Sequence, residues 1–148
     1  MDRGTVAKNL FLSGCNCAQS VVLAFADTIN IPEEELRAIA TGFGGGFARQ
    51  RLICGAVSGM AMVIGLLEKG AEKGEVYADI QAACEEFKLH TGSIICGELL
   101  GGKIAKDTSP TPEKRTEEYY AKRPCPDMCA LAAEIAEKLL VKKGVLPQ

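Results

Sequence analysis

The chain has no tryptophan, a single histidine, and aromatic residues at only 5% of its 148 positions. It shows no basic stripe interleaved with aromatics, and its 17 basic and 19 acidic residues leave a net charge of −2. Nucleic acid is therefore not an expected partner. Long apolar runs are missing as well. The longest, Ala56 to Leu67, spans 12 residues, too short to cross a bilayer, so it reads as a buried helix and no membrane insertion is expected. The first residues, Met1-Asp2-Arg3-Gly4, hold no apolar signal core, and a cytoplasmic location is the expectation. No Cys-x-x-Cys occurs, which argues against a thioredoxin-like motif, and no Cys-x-x-Cys-His, which excludes covalent c-type haem. No stretch reads as a strand, and there is no internal repeat or domain boundary.

What remains is a chain with 47% apolar and 24% charged residues, close to the globular average and long enough to bury a core without staples. Apolar residues recur with helical period nearly throughout. Helices are expected over about 6–12, 17–29, 32–41, 54–69, 75–91 and 128–141, with a short turn at 96–100. Pro32 is placed at a first helical position, followed by Glu33, Glu34 and Glu35, whose charges suit the positive end of the helix dipole. Residues 42–47 read as a flexible glycine-rich connection and 103–114 as a surface loop. The class is all-α, one domain built as a bundle of five to six helices.

Against this ordinary background stand seven cysteines: Cys15, Cys17, Cys54, Cys84, Cys96, Cys125 and Cys129. Clustered cysteines in a reducing compartment point to metal binding or thiol chemistry rather than to disulfides. Cys17, Cys54 and Cys96 each open a helix, where unsatisfied amide N–H groups and the dipole favour thiolate. Cys125 and Cys129, spaced Cys-x3-Cys after Pro124, could share one metal. Cys84 lies on the apolar stripe of its helix and reads as core, as do Met60 and Met62. His90 sits where a positive group complements a helix C-terminus. Gly55 and Gly59 share a helix face and permit close packing; Gly44 to Gly46 and Gly55 would equally let backbone approach a ligand. A phosphate loop is excluded, since no Lys-Ser or Lys-Thr ends the glycine run.

The order and spacing of Gly14-Cys15-Asn16-Cys17-Ala18-Gln19, of Gly44-Gly45-Gly46 followed by Cys54-Gly55-Ala56-Val57-Ser58-Gly59, of Phe87 with Gly92, and of Cys96-Gly97-Glu98-Leu99 resemble the C_GCAxxG_C_C family of redox-active proteins. The resemblance runs over nearly the whole chain. It implies a site of Cys17, Cys54, Cys96 and Cys129, the last chosen because it directly precedes the final helix, with Cys15 and Cys125 as secondary candidates. The family is similar to the non-haem part of split-Soret cytochromes, which implies an iron–sulfur cluster. Three functions follow as expectations: an iron–sulfur electron carrier working with a redox partner protein, a metal-free thiol–disulfide oxidoreductase or redox sensor, and a non-redox zinc or scaffold protein. The small-residue helix faces are compatible with a homodimer.

Overall fold

The computed structural model describes residues 1–148 and contains nine α-helices and no sheet. They are α1 (Arg3–Leu12), α2 (Cys17–Leu23), α3 (Glu33–Thr41), α4 (Gly55–Leu67), α5 (Lys73–Thr91), α6 (Cys96–Leu100), α7 (Gly102–Lys106), α8 (Glu117–Ala121) and α9 (Cys125–Lys142). The all-α expectation holds. The helix count exceeds five to six because three five-residue helices, α6, α7 and α8, punctuate the segment between the long ones. No helix is long and apolar enough to cross a membrane.

Local signals explain most of the boundaries. Asp2 caps α1, its carboxylate accepting from Thr5 N–H at 2.8 Å. Asn16 and Gln19 form a reciprocal capping box at α2, each side chain meeting the other's backbone at 2.9 Å, which leaves both donors satisfied and fixes Cys17 as the first helical residue. Pro32 stands at the cap of α3 rather than inside it. Gly92, at φ 92°, ends α5 in the left-handed conformation.

Three further boundary expectations change. The helix expected to reach residue 29 stops at Leu23, because Arg3 takes the Ala24 carbonyl (2.8 Å) and Thr28 the Phe25 carbonyl (2.7 Å). A 3-10 turn, Ala26–Thr28, follows. The last helix starts at Cys125 rather than at 128, since Pro126 in the first turn forfeits no intrahelical bond. The surface-loop expectation fails at residues 103–106, which belong to α7.

The core is one cluster of 28 buried residues. The very apolar α4 lies at its centre, packed on α2, α5 and α9, while α9 also lies along α1. Gly55 and Gly59 make the α2–α4 contact possible: a Cβ on Gly55 would fall 2.9 Å from the Phe43 carbonyl oxygen and 3.0 Å from Cys17 Cβ, and one on Gly59 2.8 Å from the Ala18 carbonyl oxygen. The face expected for close packing is used in that way.

At the far end of the bundle, Lys143 gathers three carboxylates, one from the turn after α4 and two from α5. Its Nζ donates to Glu68 (3.2 Å), Glu75 (2.9 Å) and Asp79. Glu68 is buried and its second carboxylate oxygen has no partner. Removing the ammonium strands a buried carboxylate, the costly case for an ion pair. Lys143→Met is therefore expected to lower the thermal midpoint by about 5 °C. In the Lys143→Met, Glu68→Gln double variant most of that loss should return. Equal losses in both variants would show that Lys143 acts only through packing.

Candidate functional site

The four regions holding the motif cysteines converge. Cys17 is placed by the α2 capping box. Cys54 caps α4, and Cys96 opens α6. The short segments leading to these two pair antiparallel through a bridge between Ile53 and Ile95, with Cys54 N–H donating to Ile94 O (2.8 Å) and Cys96 N–H to Leu52 O (2.6 Å). Cys125, at the start of α9, closes the fourth side. Cys17, Cys54, Cys96 and Cys125 line one cavity of about 70 Å³, room for a few water molecules or a small inorganic group.

Cys129 does not line that cavity, although its thiol contacts that of Cys17. It is wholly buried one turn further along α9, and its thiol donates toward the Cys17 carbonyl oxygen at 3.8 Å. Cys15, also buried and also outside the cavity wall, receives Arg37 Nη1 at 3.0 Å. Cys84 is half-buried against the core. His90 is exposed and its Nδ1 lies 2.9 Å from the Glu86 carbonyl oxygen. Met60 is core and Met62 packs against it.

All seven cysteines are free thiols, and no three of their sulfurs lie within 4.8 Å of one another. The expectation of thiolates at the helix starts is overturned. Burial pushes the Cys54 thiol up to about 12, despite the helical N–H groups of Val57 and Ala56 that favour its anion. Cys96 is raised by burial against the opposing pull of Arg51. For Cys17, the hydrogen bond from Cys125 favours the anion, but the bond to Cys129, burial and neighbouring thiols outweigh it and the net direction is upward. Desolvation exceeds the helix-terminus effect because the latter is worth at most about 1–2 kcal/mol while burial of a bare charge costs more.

The wall opposite the thiols is cationic, and no periodicity along the chain announces it. Arg51 and Arg123 are each 8% exposed. Arg51 Nη1 sits 4.0 Å from Cys96 Sγ. Arg123 stacks on Tyr119, 4.1 Å from the ring centroid, and pairs with Glu113. Arg115 stacks on Phe11 at 4.2 Å and donates to the carbonyls of Phe11 (2.9 Å) and Cys15 (3.0 Å).

The segment expected to be flexible is ordered by hydrogen bonds and folds over the thiols. Gly45, Gly46, Phe47, Ala48 and Arg49 all have φ between 52° and 71°, one left-handed turn closed by Ala48 N–H to Gly42 O (2.8 Å) and Leu52 N–H to Gly46 O (2.8 Å). Such a turn is unfavourable for L-residues, and strain of this kind gathers at functional sites. Here it sets Gly46 against Cys96 and carries Arg51 into the cavity.

Fold and site together define a helical protein with one assembled cysteine cluster. The chain belongs to the C_GCAxxG_C_C family, described as "putative redox-active protein", whose pattern matches residues 15–139. No curated protein and no solved structure is detectably similar to it.

Proposed function

We propose that the chain is an electron-transfer protein in which Cys17, Cys54, Cys96 and Cys125 hold an iron–sulfur cluster. The observation that carries this reading is the convergence of four cysteines, from four separate parts of the chain, on one cavity rimmed by buried arginines. Thiolates bound to iron leave a net negative charge, and Arg51, Arg115 and Arg123 offset it; without such a charge three guanidinium groups face neutral thiols. Four thiolates are the usual donor set of an iron–sulfur cluster. When bound, the cluster would supply one-electron chemistry. The protein's own part is to hold the sulfurs in place, to aim Arg51 at the Cys96 sulfur, a contact that tunes potential, and to exclude water behind Phe11, Leu99 and Met128.

A second reading, a thiol–disulfide oxidoreductase, is favoured by the thiol contact between Cys17 and Cys125. It is weakened by the raised thiol pKa values, which leave little nucleophilic thiolate at neutral pH.

Purification without oxygen, followed by absorption spectroscopy and metal analysis, tests both. Visible charge-transfer bands with iron and inorganic sulfide in near-equal amounts are expected. Metal-free protein that loses the Cys17 and Cys125 thiols on mild oxidation would install the second reading. Colourless protein with a single tightly held zinc would remove both.

A further inference from the structure

Arg51 holds a donor that nothing in the protein uses. Its Nε donates to Asp107 O (3.1 Å), its Nη1 reaches toward Cys96, and its Nη2 is buried without a hydrogen-bond partner. Leaving a charged donor unpaired in a side chain that is nine-tenths buried is unfavourable unless something arrives to accept from it. The other arginines nearby are occupied: Arg49 by the carbonyls of Ser109 and Thr111 and by Asp107 and Glu113, and Arg115 and Arg123 by the contacts already described.

Outside the thiol cavity lies a second hollow of about 430 Å³, and Arg51, Arg115, Arg123 and Tyr119 line both. Its walls are the left-handed turn and the Pro110–Arg115 loop. Arg49, Arg51, Arg115 and Arg123 face only Glu113 and Asp107 as counter-charges, so the hollow is positive. The backbone is strained to produce this arrangement. Arg51 has φ 63°, and its N–H is tied to Gly45 O at 3.1 Å. Its planar fork is held at Nε by Asp107 O and lies between the two cavities with Nη2 unpartnered, and a guanidinium with a free donor is suited to an oxyanion.

We infer that this vestibule binds a small oxyanion, either an inorganic group of the phosphate or sulfate type or a carboxylate, with the Arg51 guanidinium as its central charge. The ligand lies beside the cysteines, in the position of a small anionic substrate or ligand of that site. The site stands on Arg51 and the shape of the hollow and does not require the proposed cluster.

Calorimetric titration of the protein with inorganic phosphate, sulfate and acetate, against sodium chloride at matched ionic strength, tests it. Saturable binding of at least one oxyanion and none of chloride is expected, and the responding anion tells inorganic group from carboxylate. Arg51→Gln is expected to weaken binding about tenfold or more. Arg37→Gln, whose guanidinium reaches Cys15 outside the hollow, should leave it unchanged. If Arg51→Gln folds poorly, the wild-type thermal midpoint decides: it should rise with oxyanion concentration beyond the chloride control. No saturable binding and no such rise, or undiminished binding by Arg51→Gln, overturns the inference. Iron content measured on the same samples separates the two proposals. Oxyanion binding in iron-free protein removes the cluster and keeps this site, and iron without oxyanion binding does the reverse.

Discussion

Cys125→Ser is expected to cut bound iron at least about tenfold, because a hydroxyl replaces a soft thiolate ligand, while Cys129→Ser keeps iron near the wild-type level. The contrast rests on where α9 begins. Cys125 is its first residue and lines the cavity; Cys129 is four residues on, wholly buried, with its thiol turned toward the Cys17 backbone. Cys129→Ser should instead be felt in stability. A buried hydroxyl replaces a weakly polar thiol at a cost of about 1–2 kcal/mol, part of it recovered if the hydroxyl donates to the Cys17 carbonyl. Iron assay and chemical denaturation on both variants read the two effects separately. The opposite pattern, iron lost from Cys129→Ser alone, would make Cys129 the fourth ligand and require α9 to start later when the site is filled.

Gly46→Ala should disrupt the site and destabilise the metal-free protein by about 3 kcal/mol, from overpacking together with the left-handed backbone. Conformation alone does not demand glycine here, since Phe47, Ala48 and Arg49 take similar φ values as L-residues. The missing side chain is the decisive feature. A Cβ would lie 2.5 Å from Cys96 Cβ, 2.7 Å from Leu52 N and 2.8 Å from Arg51 Cα, and two of those are backbone atoms held by hydrogen bonds. Gly70→Ala is the control. Gly70 has φ 96°, and a methyl group there would meet nothing within 4 Å, so only the conformational cost of about 1 kcal/mol applies. Denaturation midpoints that shift equally in the two variants would show that the close approach to Cys96 is not what glycine serves at position 46.

The long helices were legible because each carries its signals locally: the Asn16–Gln19 box, the acidic first turn after Pro32, and Gly92 at the end of α5. The motif cysteines were legible because their order and spacing match a family pattern. Two things were not. The extent of α2 depended on Arg3, more than twenty residues away, competing for a carbonyl. The arginine wall depended on Arg51, Arg115 and Arg123 meeting across loops, which no periodicity encodes. The thiolate expectation failed for a related reason. A helix start can be seen in sequence, but the burial that outweighs it is a property of the assembled fold. The helix α8 was not read at all, although Thr116, whose hydroxyl accepts from Tyr119 N–H at 3.1 Å, caps its start.

The contact between Cys129 and Cys17 joins residues 112 apart, and the cavity wall likewise needs α9 beside α2. A chain leaving the ribosome presents Cys17, Cys54 and Cys96 well before Cys125 and the helix that seats it. The complete cysteine site therefore comes into being only after the last helix docks, so synthesis itself sets the earliest moment at which the proposed cluster can be taken up.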